Sequence, residues 1–396
     1  MRLITNLALI GIFVNFFGRS ISAKLLEYNG YPYYRLIPEN SYAAETHIEL
    51  ILVYIILFIS IKFVFRKLKP ISLQSGSTDG SIYIVGCFIA LLLVTFYKSQ
   101  FDLGTRGVDQ FDRGLIEQFS RMIYILIPFM IYVYYKYRFS ILYKAIYAVV
   151  IAIFVYVDIV TGNRRMTMYV LLPIALGVFY SNMRFRKWIL VALSINIFIL
   201  LYYATAVRGV SVVSPFLLAI SSLLGLIGEN GILWEVKELV NTVGFQYGAT
   251  MFNPLLYVPT VVSSLFGVVE TNVERGAFIF NNYYNSSSNM GYDFMLIADF
   301  YLNFGVYGYM MFIMLVVIVL KAVESLIYKG DPFSVSIAFT TVYVLLAGLR
   351  SDFPFLVKNI LYVYIAIYLV RYVAINLLSK HKQHCHKECK TTYRIT

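Results

Sequence analysis

His47–Phe65 reads HIELILVYIILFISIKFVF, an apolar run whose ionisable residues, His47, Glu49 and Lys62, stand near its ends. A bilayer crossing needs roughly 20 mostly apolar residues. The run is continuous and does not alternate, which excludes the strands of a transmembrane barrel. Similar runs lie at 3–17, 81–97, 120–135, 141–160, 166–182, 188–206, 303–320, 333–349 and 354–375. The whole chain agrees with them: 60% of the 396 residues are hydrophobic, 14% are charged, and the mean hydropathy is +0.73. A soluble domain is about 45–50% apolar and about 25% charged. A soluble enzyme and a disordered chain are therefore excluded. The expectation is an all-α polytopic membrane protein, one integral domain over 1–396 with ten spans. The first run, followed by Ser20-Ile21-Ser22-Ala23, also fits a signal sequence; in either case residue 24 starts outside.

Charge sets the orientation. With the N-terminus inside, the inner segments hold 19 of the 33 basic residues and four of the 21 acids, a net of +15. The outer side keeps 14 basic and 17 acidic residues, a net of −3. Cytoplasmic loops carry such an excess of Lys and Arg. Ten of the outer basic residues are arginines, whose planar fork suits phosphate oxygens.

Inner loops such as Met183–Lys187 are short, whereas 18–46, 98–119 and 207–302 are long outer segments. The last contains two apolar stretches, Val212–Ile227 and Met251–Val269. If both crossed, the count would be twelve and Glu229–Gly248 would lie inside with Glu229, Glu235 and Glu238 against one Lys237, the wrong sign for a cytoplasmic loop. Interfacial or re-entrant helices on the outer face, buried by protein, are expected instead.

The chain has no Gly-rich phosphate loop, no G-x-S-x-G, no H-E-x-x-H and no Asp-x-Asp. Neither a cofactor nor a metal is expected. The tail 380–396 contains His381, His384, Cys385, His386 and Cys389, too closely spaced for the usual paired zinc ligands. It reads as a basic cytoplasmic segment beside anionic lipid. With Cys87 these make three cysteines, too few for a disulfide framework.

Candidate anion-binding residues are Arg164 and Arg165, in the outer turn Thr161-Gly162-Asn163-Arg164-Arg165 at the start of a span. Free N–H groups and the helix dipole favour phosphate there; snorkelling to lipid headgroups is the competing account. Arg208 and Arg350 end spans and could close over the same anion, or pair with a nearby acid, as Arg350 could with Asp352. The segment Phe278–Gly308 offers Tyr283, Tyr284 and Tyr292 among asparagines, suited to sugar hydroxyls and apolar sugar faces; an interfacial aromatic belt competes with that reading. Asp293 and Asp299 follow, before Asn303-Phe304-Gly305-Val306-Tyr307-Gly308. Such a carboxylate could take a proton from an attacking sugar hydroxyl, with Asp299 preferred because of its apolar approach. A buried ion pair with an outer arginine is the alternative. His47 is the one outer histidine and has no special sequence neighbours.

This pattern resembles the Wzy-type polymerases, in its many spans with large outer loops and in Thr161–Arg165, Arg208-Gly209, Gly291-Tyr292-Asp293, Asp299, Asn303-Phe304-Gly305 and Gly308. The resemblance implies joining of undecaprenyl-diphosphate-linked repeat units into O-antigen or capsular polysaccharide at the outer face of the bacterial inner membrane. It implies arginines holding the diphosphate and no metal. It places an acid, often Glu in the family, where this chain has Asp299. The chain departs from the family in lacking a clear second arginine-leucine loop motif, with only Arg275-Gly276-Ala277-Phe278-Ile279 in its place. The partners implied are the lipid-linked oligosaccharide, membrane lipids, a chain-length regulator and a flippase, and no nucleic acid. A flippase or exporter of lipid-linked glycan, and an O-antigen ligase, are the rival readings; a transporter would show related halves and charges at mid-membrane depth.

Overall fold

The computed structural model describes residues 2–29, 39–66, 231–256, 275–284, 294–329 and 332–361, with scattered positions between 149 and 224 and between 364 and 372. The described helices are α1 (Arg2–Tyr28), α2 (Ala43–Val64), α3 (Gly231–Val243), α4 (Ala249–Leu256), α5 (Gly276–Tyr284), α6 (Leu296–Phe304), α7 (Val306–Tyr328), α8 (Pro332–Gly348) and α9 (353–361). Among the described residues there is no strand. The spans expected at 81–97, 120–135, 141–160, 166–182 and 188–206 lie outside the described residues, apart from isolated positions, as do the loop 98–119 and the tail 380–396.

Among the described residues, three helices are long and apolar enough to cross a membrane: Leu3–Tyr28, Ala43–Val64 and Val306–Tyr328. The first corrects the expected span at 3–17, because the helix runs unbroken through Ser20–Ala23. The expected span at 303–320 is also corrected. Asn303 belongs to α6, and the long helix starts beyond an elbow at Gly305 (φ 58, ψ −139). It continues to Tyr328 because its charged residues find partners: Lys321 bonds Glu324 at 2.6 Å and lies 4.9 Å from the Phe65 ring centroid. The run read at 333–349 is α8, which is shorter than the three membrane-length helices.

α7 packs on α8, α6 and α2, and α1 packs on α2 and α8. Phe16 meets Phe312, and the Asn15 side chain donates to the Leu349 carbonyl at 3.3 Å. Around the N-terminal ends of α2 and α7 and the C-terminal end of α8 sit the short elements α3–α6. α6 is the innermost, with Leu296, Ile297, Ala298, Asp299, Leu302 and Asn303 fully buried. A buried helix leaves orphan backbone groups at its ends that need partners. The Leu296 N–H donates to the Leu349 carbonyl at 3.0 Å. At the other end the loop after α3 supplies three donors: Gln246 N–H to Leu302 O, Tyr247 N–H to Asn303 O, and Gly248 N–H to Asn303 Oδ1.

A second polar knot joins α3 to α2. Lys237, with a side chain only 2% exposed, bridges Glu49 at 2.7 Å and Glu45 at 3.1 Å. Tyr309 of α7 donates to Glu49 at 2.6 Å. Glu45 is 62% exposed and Glu49 only 20%, so the Lys237–Glu49 pair is the one that fixes α3 against the long helices; breaking a buried pair by removing one partner typically costs about 3–5 kcal/mol.

Candidate active site

Four segments far apart in sequence converge on the carboxylate of Asp299: Thr250 from α4, Arg275-Gly276 at the start of α5, Asn303 one turn along α6, and Asp352-Phe353 at the start of α9. Asp299 is 0% exposed. Its Oδ1 accepts from Thr250 Oγ1 at 3.4 Å and from Asn303 Nδ2 at 3.3 Å. Its Oδ2 accepts the Phe353 N–H at 2.8 Å. Asn303 is itself fixed by its bonds to Thr250 Oγ1 at 2.7 Å and to the Asp299 carbonyl at 2.8 Å. Position 276 has to be glycine for α5 to come this close, since a Cβ there would overlap Asp299 Oδ1 and press on Phe294.

Asp352 caps α9: its Oδ1 accepts the Phe355 N–H at 3.1 Å, as Asp commonly does at a helix start. Its Oδ2 lies 3.3 Å from Arg275 Nε. This decides against two of the alternatives open in the sequence. Asp352 pairs with Arg275 rather than with Arg350, because the turn at 349–351 ends α8 and Asp352 opens the next helix towards α5. The buried ion pair that competed with a base at Asp299 falls on Asp352, while Asp299 is held by neutral donors. Arg275 is 45% exposed, so it links this buried acid pair to the surface.

Burial, then the facing Asp352 carboxylate, push Asp299 up to about 7, against the Phe353 N–H, the Thr250 hydroxyl and the Arg275 charge. Burial also pushes Asp352 up, opposed first by Arg275. Both groups therefore bind protons more tightly folded than unfolded. From about pH 4, where a free Asp titrates, up to about 7 the folded chain holds more protons, so the stability they contribute falls as pH rises through that window. The thermal midpoint of solubilised protein should be higher at pH 5 than at pH 8, and the dependence should flatten in Asp299→Asn. An unchanged dependence in that variant would remove Asp299 as its source.

Tyr284, expected to face glycan, points inward: it bonds Glu235 and stacks on Phe280 with centroids 5.2 Å apart. Burial pushes both Glu235 and Tyr284 up. Tyr283 beside it is exposed. Arg350 is partly buried at the end of α8 and forms no ion pair with Asp352. His47 is better surrounded than its sequence neighbours suggest, with Ser20 Oγ at 3.4 Å, the Ala43 carbonyl at 2.8 Å and the Trp234 ring at 5.6 Å. Arg164, Arg165, Arg208, Asp293 and Tyr292 lie outside the described residues.

Sequence reasoning missed Thr250, Glu235 and the role of Asp352. For Asp352 a signal existed, since an Asp two residues before Pro354 marks a helix start. Thr250 carried none. Comparison with known proteins leaves the chain by itself: no family profile, no curated protein and no solved structure matches it.

Proposed function

We propose that the protein is a glycosyltransferase that polymerises undecaprenyl-diphosphate-linked oligosaccharide repeat units into O-antigen or capsular polysaccharide, on the outer face of the bacterial inner membrane. The observation that carries this reading is a buried carboxyl with its pKa raised to about 7, next to a half-exposed guanidinium, where α7 begins and α8 ends. In this reaction the acceptor hydroxyl attacks the anomeric carbon, the sugar–phosphate bond breaks, and the diphosphate leaves on its lipid. The hydroxyl proton goes to Asp299, and the guanidinium of Arg275 stabilises the departing charge, with Arg164, Arg165, Arg208 and Arg350 as further phosphate contacts. The Thr250 contact, at 3.4 Å the longest to the Asp299 carboxylate, is the one an incoming sugar hydroxyl replaces. Tyr283, on the exposed surface of α5, receives the glycan; Tyr292 and the secondary acid Asp293 belong to the same outer segment.

Deleting the gene in a strain that makes surface polysaccharide should leave a single repeat unit in place of long chains. Complete loss of surface glycan would point to an export step and sink the reading.

The proposal includes ten crossings with the N-terminus inside. Reporter fusions at Arg184 and Lys329 should report cytoplasm, and fusions at Gln110 and Tyr284 the outside. A cytoplasmic signal at Tyr284 overturns the orientation, and an inside signal at Glu238 gives twelve crossings.

A further inference from the structure

We propose that Asp352 is the positioning residue of this site, holding Arg275 by its carboxylate and Asp299 by the peptide that follows it, so that cation and base move as one unit. The proposal rests on the glycosyltransferase reading and adds to it a residue that touches neither sugar nor phosphate.

The geometry is specific. Asp352 is 2% exposed, and each of its oxygens has a separate task. Oδ1 takes the Phe355 N–H and fixes the first turn of α9; Oδ2 accepts no hydrogen bond and holds Arg275 by charge, 3.3 Å from its Nε. Among the described residues, Arg275 is held by this ion pair at its Nε side, and its terminal amino groups remain for a ligand. A guanidinium held at Nε presents its terminal pair as a fork that matches two phosphate oxygens. The next peptide, at Phe353, donates to Asp299 Oδ2 at 2.8 Å. One dipeptide thus sets the positions of both the cation and the base. Arg275 adjoins Gly276, whose missing side chain lets Asp299 lie against α5, so the unit closes on itself: 352 to 275, 276 to 299, and 299 back to 353.

The charges facing this unit come from each neighbouring element. α9 contributes Lys358, which acts on Asp352. α4 contributes the neutral Thr250, and α6 the neutral Asn303. From α3, Lys237 is engaged with Glu45 and Glu49, and Glu235 with Tyr284. Arg350 ends α8 two residues before Asp352. Among the described residues, Asp352 and Arg275 are the charged groups acting directly on Asp299, and they act in opposite directions.

Opposite signs make the test decisive. Asp352→Asn and Asp352→Ser keep a good helix cap but remove the negative charge. In a purified polymerisation assay with lipid-diphosphate-linked repeat units, both should raise the donor KM about tenfold by loosening Arg275. Both should also move the acidic limb of the pH–rate profile down by about one unit or more, because the charge that raises Asp299 is gone. Arg275→Ala should raise the donor KM as well, but move the same limb up. A residue that merely stabilises the fold would change protein yield and leave both limb and KM in place. Wild-type KM and pH profile in the folded Asp352 variants overturn the proposal. If neither Asp352 variant folds, an unmoved limb in Arg275→Ala overturns it. If the wild-type protein itself polymerises nothing, the functional reading fails, and the thermal midpoint against pH still decides the coupling. Its fall should occur at lower pH in Asp352→Asn, and an unmoved fall overturns the unit.

Discussion

Asp299→Asn should abolish polymer formation while the protein still folds and binds lipid-linked repeat units. The substitution keeps the shape of the side chain and removes its basicity. A positioned general base contributes typically 10²- to 10⁴-fold to a rate, so turnover should fall by at least about 100-fold. The surroundings limit how well asparagine fits. With its oxygen towards Thr250 and Asn303, its amide nitrogen faces the Phe353 N–H; turned over, the nitrogen meets the Asn303 amide. One donor then opposes another, a loss of roughly 1–3 kcal/mol for a buried group left unsatisfied. Against this, a carboxyl whose charged form burial disfavours is gone, and that gain is largest above pH 7. Stability at pH 8 should therefore change little while activity disappears. The measurement is a product ladder from purified protein, run beside a thermal melt and a binding assay. A normal ladder places the base elsewhere.

The second large effect is structural. Gly308→Ala should prevent α7 from closing on α6. A Cβ at Gly308 would overlap the Phe300 carbonyl and press on the Tyr301 nitrogen. These are backbone atoms of a helix that is anchored at both ends, so no rotamer change relieves the overlap. Overpacking a core costs typically about 1–3 kcal/mol, and the backbone contact puts this case at the upper end. Lower yield in membranes and a depressed thermal midpoint should result, with polymer shortened in proportion to folded protein. The exposed neighbour Tyr307→Ala is the control and should melt as wild type. An equal midpoint for Gly308→Ala and wild type would mean that the α6–α7 elbow opens at no cost.

These two sites also show what the sequence could disclose. Continuous apolar runs located α2 and α8 to within a few residues, because a buried or lipid-facing helix needs only length and composition. The start of α7 was misplaced because apolar residues continue across the elbow; only the backbone turn at Gly305 separates the two helices. α6 went unread as a helix because it is short and buried all round, a case that periodicity cannot tell from a strand. Asp299 was legible as a carboxyl on an apolar approach. Its partners were not, since Thr250 lies 49 residues away and the Phe353 peptide 54. For Arg350 and Asp352 adjacency pointed to the wrong pair, because the start of a new helix reorients residues that are neighbours in sequence.

The knot between Lys237 and the two glutamates of α2 has a bearing on how the chain is made. Glu45 and Lys237 are separated by 192 residues. At about 5–20 residues per second, the lysine emerges from the ribosome roughly 10–40 s after the acids it will meet. For that interval α2 is already long and apolar enough to be inserted, while Glu45 and Glu49 lack their cation. Unpaired carboxylates are tolerated at the water boundary and not in hydrocarbon, so the N-terminal end of α2 has to wait in the headgroup region. The N-terminal end of α2 is thus completed late, and so is the platform that joins it to α3 and α7. A ribosome stalled before Lys237 should hold a nascent chain whose Glu49 is open to water-soluble reagents, and completion of the chain should cover it.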